Sequence, residues 1–266
     1  MSERVTSSTI SRFSRMILPA AALILTSCGF AGSRPDALIA VSSNFLSTAD
    51  ALEEAFEASG EFDVDVVAGS TGQLYAQIQN GAPFDVFLAA DQERPQLLEK
   101  EGLIVEGSRF TYAVGVLSLW TADIDNVKGG YGNLAEVLRE SPYQSLAVAN
   151  PDLAPYGAAA MQTLEALDLL GALQDRIVRG ANIGQVYAMV KTGSAEFGFV
   201  AGSQVKMLDG GGWSITVPGD LHDPILQDGV LMMRASENGA ARAFVDFLRS
   251  PEGREIIEQH DYRVPD

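Results

Sequence analysis

Four short stretches of this chain are uncharged, carry small polar or aromatic donors, and stand directly before helix patterns. They are Ser42-Ser43-Asn44, Gly69-Ser70-Thr71-Gly72, Ala154-Pro155-Tyr156-Gly157 and Ala181-Asn182-Ile183-Gly184. A helix start leaves several backbone N–H groups without intrahelical partners and carries the positive end of the helix dipole. Ser and Thr hydroxyls, an Asn amide and the Tyr156 phenol add further donors. Together they make the chemistry of an anion cradle built from neutral dipoles. Ser, Thr and Asn are also the favoured N-caps and Gly the usual turn residue, so capping explains any one junction alone. It does not explain four at once, since Gly-Ser-Thr-Gly exceeds what a cap needs and Tyr156 is no cap.

The residues missing from these stretches narrow the ligand. No Lys or Arg stands at any tip, so an anion there is held by dipoles, which are strong in a desolvated cleft. No carboxylate stands in them either, although Asp85 and Asp152 lie near in sequence. A protonated oxyanion such as hydrogen phosphate needs an acceptor for its own O–H, and a carboxylate would repel a full dianion. The composition therefore leans toward a tetrahedral dianion: molybdate, tungstate or sulfate.

Enzyme signatures are poor. There is no GxSxG elbow and no GxxxxGK[ST] loop, and Gly130-Tyr131-Gly132-Asn133-Leu134-Ala135 follows a polar stretch rather than a strand, which makes it a turn. The two histidines read as a loop residue, His222, and a cap on the last helix pattern, His260. Cys28 is the only cysteine, leaving no disulfide, CxxC motif or zinc site to build. A catalytic or metal centre and a resident cofactor are not expected; the rivals to a binding protein are a hydrolase using a histidine with one of the serines, and a structural lipoprotein.

The elements that must position these stretches alternate along the chain. Strand patterns cover 37–41, 64–67, 86–89, 112–120, 146–149, 197–200 and 229–233. Helix patterns cover 48–58, 73–79, 93–100, 133–140, 157–169, 184–191, 238–249 and 251–259. This implies an α/β fold with mainly parallel sheet. The long uncharged run 110–120 and the run 220–233 are placed as if the chain leaves a first lobe and later returns. The expected division is a first lobe of 37–113 and 220–266 and a second of 114–219, with the ligand in the cleft between them.

The N-terminus is a separate case. Arg4, Arg12 and Arg15 precede the apolar run 16–25, too short to span a bilayer, which reads as an export signal over 1–27. Leu25-Thr26-Ser27-Cys28 resembles the bacterial lipobox, implying lipidation at Cys28, a tether over 28–36 and a soluble domain anchored on a membrane surface at the periplasmic or outer face. Loss of residues 1–27 takes the formal charge from −17 to about −19. Such an acidic domain is no partner for nucleic acid, and it slows capture of a dianion at low ionic strength.

The segments VSSNFLSTADALEEAF, GSTGQLYAQIQNGAPFDVFLAADQERPQLLEKEGL, SRFTYAVGVLSLW, ANPDLAPYGAAAMQTLEALDL and EFGFVAGSQV resemble the periplasmic molybdate-binding proteins of ABC importers. The resemblance runs over about 37–262, most specifically in Gly81–Asp91. It implies a two-lobed type II solute-binding fold, molybdate or tungstate as ligand, an ABC permease as partner and a monomer. Carried over by position, the oxyanion contacts fall on Ser43, Asn44, Thr71 with Ser70 beside it, Tyr156, and the backbone N–H of Ile183, with Ser42 and Asn182 as additional candidates. Some members supply a tyrosine hydroxyl where this chain has Ala201, and the Pro-Tyr-Gly turn offers the phenol of Tyr156 instead. Selectivity against the smaller sulfate then rests on cavity size.

Overall fold

A computed structural model of the chain describes residues 34–58, 60–128, 132–206 and 211–265. The signal segment 1–27, Cys28, the tether up to residue 33, and Gly130 and Tyr131 of the glycine-rich turn lie outside the described residues.

Two five-stranded sheets organise the rest. The first is built from β1 (Ala37–Ser42), β2 (Val64–Gly69), β3 (Val86–Leu88), β4 (Phe110–Gly115) and β10 (Ile225–Leu231), in the order β2-β1-β3-β10-β4. The second contains β5 (Leu117–Thr121), β6 (Leu146–Ala149), β7 (Ile177–Gly180), β8 (Phe197–Ala201) and β9 (Trp213–Thr216), in the order β7-β6-β8-β5-β9. In each sheet one strand, β10 or β5, runs against its neighbours, while β2-β1-β3 and β7-β6-β8 are parallel. The interior strands are buried because helices cover both faces, and most of their residues are apolar; Gln227 and Asp228 of β10 are the main exceptions.

Helices α1 (Leu46–Glu57), α2 (Thr71–Gln79) and α3 (Glu93–Lys100) fill the crossovers of the first lobe, and α9 (Gly239–Arg249) and α10 (Pro251–Gln259) follow β10. In the second lobe the helices are α4 (Leu134–Glu140), α5 (Pro155–Ala166), α6 (Leu170–Leu173), α7 (Ile183–Lys191) and α8 (Gly202–Lys206). One face of the first sheet packs Leu52 and Phe56 of α1 against Phe244 and Leu248 of α9; the other packs Leu74 and Ile78 of α2 against Phe87. The second lobe has its own core around Trp120, Val148, Leu164 and Phe199.

The single strand expected over 112–120 is in fact two. β4 ends at Gly115 in one sheet and β5 begins at Leu117 in the other, with Val116 between them. At the break the Tyr156 hydroxyl and the Gln227 side chain stand against Gly115, and any Cβ there would collide with them. β7 and β9 are short edge strands with partly exposed residues, which hides them from a search for apolar runs. β10 starts at Ile225, upstream of the expected Gly229, because Gln227 and Asp228 are polar yet fully buried.

Candidate oxyanion site

Strand register brings the four junctions level in pairs. Ser42 on β1 aligns with Gly69 on β2, and Ala149 on β6 aligns with Gly180 on β7. Each pair of strands therefore releases its two loops at the same height, at the carboxyl ends where ligands bind in open α/β sheets. The loop after β1 turns on Ser43 N–H donating to Gly69 O at 2.9 Å and Phe45 N–H donating to Ser42 O at 2.8 Å. Ser70 caps α2 in a reciprocal box with Gln73. Pro155 opens α5, where its fixed φ suits the first turn. Asn182 caps α7 by accepting from Gln185 N–H at 2.9 Å.

These loops meet at one small pocket. Ser42, Ser43, Asn44, Ser70, Thr71, Tyr156 and Ile183 line it, together with Gly69, Ala90, Ala154 and Pro155. None of these residues is charged. Asn182 is not among them, since its side chain serves as the cap of α7, and neither is Ala201, whose N–H donates to Gln204 Oε1.

The donors offered to the cavity differ in kind from a simple reading of residue types. Both amide hydrogens of Asn44 are engaged elsewhere, toward Gln227 Oε1 at 2.9 Å and the Tyr262 hydroxyl at 3.1 Å. The Tyr156 hydroxyl accepts from Gln227 Nε2 at 3.2 Å. Burial first, and then the neighbouring Tyr262, hold that phenol's pKa well above its ordinary value, so it stays protonated. Thr71 Oγ1 accepts from Ala90 N–H at 3.2 Å and pairs with Ser42 Oγ at 2.7 Å. The backbone tells the opposite story: the N–H groups of Asn44, Thr71, Tyr156 and Ile183 have no acceptor among the described residues. Each stands at or just before a helix start, two in each lobe. With Ser43, whose hydroxyl makes only a long 3.5 Å contact with Gly184 N–H, they are donors in search of an acceptor.

Carboxylates near in sequence are kept away from this cavity. Asp85 pairs with Arg234 and accepts from Leu38 N–H at 2.9 Å. Asp152 lines a larger neighbouring cavity with Asp91, Arg94 and Asp223. The lobes are also bonded to each other around the site: Gly72 N–H donates to Leu153 O at 2.9 Å, and Arg94 Nη2 to Asp152 O at 2.9 Å.

A cavity of unpaired dipoles shared by two lobes is what a receptor that closes on a small anion requires, and sequence comparison agrees. The profile of the bacterial extracellular solute-binding proteins matches residues 37–263. The chain belongs to that family. Among the relatives of this solute-binding protein, the molybdate-binding protein ModA of Azotobacter vinelandii is 47% identical over 229 residues, covering 84% of this chain and 88% of the relative. ModA of Rhodobacter capsulatus is 42% identical over 227 residues, covering 85% and 88%. The solved structure of the Azotobacter vinelandii periplasmic molybdate-binding protein superposes on 86% of this solute-binding protein and 100% of its own chain, with a TM-score of 0.82 and 35% identity.

Sequence reasoning missed the residues behind the cavity: Gln227, Tyr112, Tyr262 and Ser203. A Gln-Asp pair inside an otherwise apolar strand was the available signal, because buried polar groups need partners. The two histidines remain apart from the site, with His222 Nδ1 at 2.7 Å from Asp223 O and His260 Nδ1 at 2.8 Å from Ile256 O.

Proposed function

We propose that this protein is the extracytoplasmic receptor that captures molybdate or tungstate and hands it to the permease of an ABC importer. The observation that carries the reading is the convergence of the unpaired N–H groups of Asn44, Thr71, Tyr156 and Ile183, from both lobes, on one neutral cavity. The names of its relatives support the choice of ion.

The dianion accepts these four N–H bonds, together with the hydroxyls of Ser43 and Ser70. Each bond to a charged acceptor contributes about 1.5–3 kcal/mol net, so several reach tight affinity. Molybdenum or tungsten enters as the oxyanion with no direct protein ligand, no resident cofactor is needed, and no covalent step follows. Because donors come from both lobes, the ion stabilises the closed arrangement, which the permease then reads. The receptor works as an exported monomer held at the membrane by a lipid at Cys28.

A thermal-shift titration tests this. Molybdate and tungstate are expected to raise the melting temperature strongly, and sulfate and phosphate little. Equal stabilisation by sulfate would favour a general oxyanion receptor; no shift with any oxyanion would remove the reading.

A further inference from the structure

Gln227 sits on β10, the strand by which the chain re-enters the first lobe, and it is fully buried. Its Oε1 accepts from Asn44 Nδ2 at 2.9 Å and from the Tyr112 hydroxyl at 3.1 Å. Its Nε2 donates to the Tyr156 hydroxyl at 3.2 Å. Asn44 precedes α1 in the first lobe and Tyr156 is the second residue of α5 in the second. One amide thus grips a side chain on each half of the cavity, and in both cases the gripped residue is one whose backbone N–H is unpaired.

The surroundings leave this arrangement little freedom. The Asn44 carbonyl accepts from the Tyr262 hydroxyl at 2.7 Å and from Ser203 Oγ at 3.1 Å, so the peptide that follows Ser43-Asn44 is held from behind. The Tyr156 ring is fully buried with its hydroxyl against Gly115, at the point where the chain passes between sheets. A buried polar network in which every member is paired is rigid, and losing one member strands its partners. A cradle made of fixed dipoles selects ions by the spacing of those dipoles, and here the spacing spans two lobes.

We propose that Gln227 is a positioning residue for the oxyanion: through Asn44 and Tyr156 it sets the separation of N–H groups contributed by opposite lobes, and so the size of ion the cavity accepts. This rests on the oxyanion-receptor reading. Removing the amide releases the constraint that ties Asn44 on one lobe to Tyr156 on the other. The larger ion, which depends on the full set of donors at once, then loses more than the smaller one.

Calorimetric titration of wild type, Gln227→Leu, Tyr156→Phe and the double variant with molybdate and with sulfate tests the idea, with melting of each ligand-free protein in parallel. Wild type is expected to bind molybdate. Gln227→Leu is expected to weaken molybdate about tenfold or more while changing sulfate by less than about threefold, so that the preference narrows. In the Tyr156→Phe background the same substitution should cost less, because one of its two partners is already gone. Molybdate affinity in Gln227→Leu within about twofold of wild type overturns the proposal, as does an equal loss for both ions accompanied by a lower melting temperature. If Gln227→Leu does not fold, Gln227→Asn replaces it: the amide is kept but cannot span both partners, and retained selectivity there overturns the proposal. Wild type that binds no oxyanion overturns the receptor reading and this one with it.

Discussion

The Gly72 N–H donates to the Leu153 carbonyl at 2.9 Å, tying the first lobe to the second one residue away from Thr71 on one side and Ala154 on the other. A Cβ on Gly72 would stand 3.0 Å from Leu153 Cδ2 and 3.1 Å from its Cα. Contact this tight makes Leu153 give by a few tenths of an ångström, and where it cannot, the lobes close less tightly. Gly72→Ala should therefore weaken molybdate binding by about 1–2 kcal/mol, roughly 5- to 30-fold, through incomplete closure. The isolated α2 gains from the better helix former, so ligand-free stability should be unchanged or slightly raised. Calorimetry and ligand-free melting separate the two effects; unaltered affinity would mean that the lobes close without this contact.

Tyr156→Phe distinguishes a phenol that touches the ion from a backbone that does. With the hydroxyl bonded to Gln227, the substitution removes one buried hydrogen bond and should lower stability by about 1 kcal/mol, or about 2–4 °C in melting temperature. Molybdate affinity should fall by no more than Gln227→Leu costs, about tenfold, because the same link from Gln227 to the second lobe is lost. A loss approaching a hundredfold would instead make the phenol a direct ligand.

Arg94 stands on α3 beside Asp91 and reaches across to Asp152 O at 2.9 Å. Burial raises the pKa of Asp91, and the Arg94 charge works against that rise. Arg94→Ala removes a lobe-to-lobe bond and leaves Asp91 without its cation, so ion release should accelerate by about three- to tenfold. Stopped-flow tryptophan fluorescence reads this, since Trp120 and Trp213 belong to the second lobe. An unchanged release rate would confine Arg94 to a role within its own lobe.

Glu53 on α1 has its pKa raised to about 7, by burial first and then by Glu57, Asp50, Asp65 and Asp63. The folded state thus holds a proton that the unfolded state, with an ordinary carboxyl near 4.5, has released. Between those values stability falls as pH rises. Glu53→Gln should raise the melting temperature at pH 8 and lose this advantage below about pH 4.5, with the gain kept to about 1 kcal/mol or less by solvent and reduced further by salt. A pH-independent difference would contradict the charge-based origin.

Much of this was legible in the chain. Helix patterns over 93–100 and 251–259 match α3 and α10 in full, because charged and apolar residues alternate there with helical period and start signals are explicit. The four junctions were visible for the same reason, as clusters of caps and glycines at strand ends. What escaped was set by tertiary contacts. The apolar run over 112–120 divides between two sheets at Gly115, where Tyr156 from far along the chain packs against it, and Gln227 reads as an ordinary polar residue until Asn44 and Tyr156 stand on either side of it. The roles of Asn44 and Tyr156 shifted likewise: residue type points to the side chains, whereas the hydrogen-bond partners leave the backbone N–H groups free.

The central claim is that a dianion is held by N–H groups from four helix starts, and amide NMR on isotope-labelled protein tests it most directly. One equivalent of molybdate should shift the backbone amide protons of Asn44, Thr71, Tyr156 and Ile183 together, to lower field and in slow exchange, as each gains a charged acceptor. Saturation with molybdate while those four resonances stay in place would contradict the account.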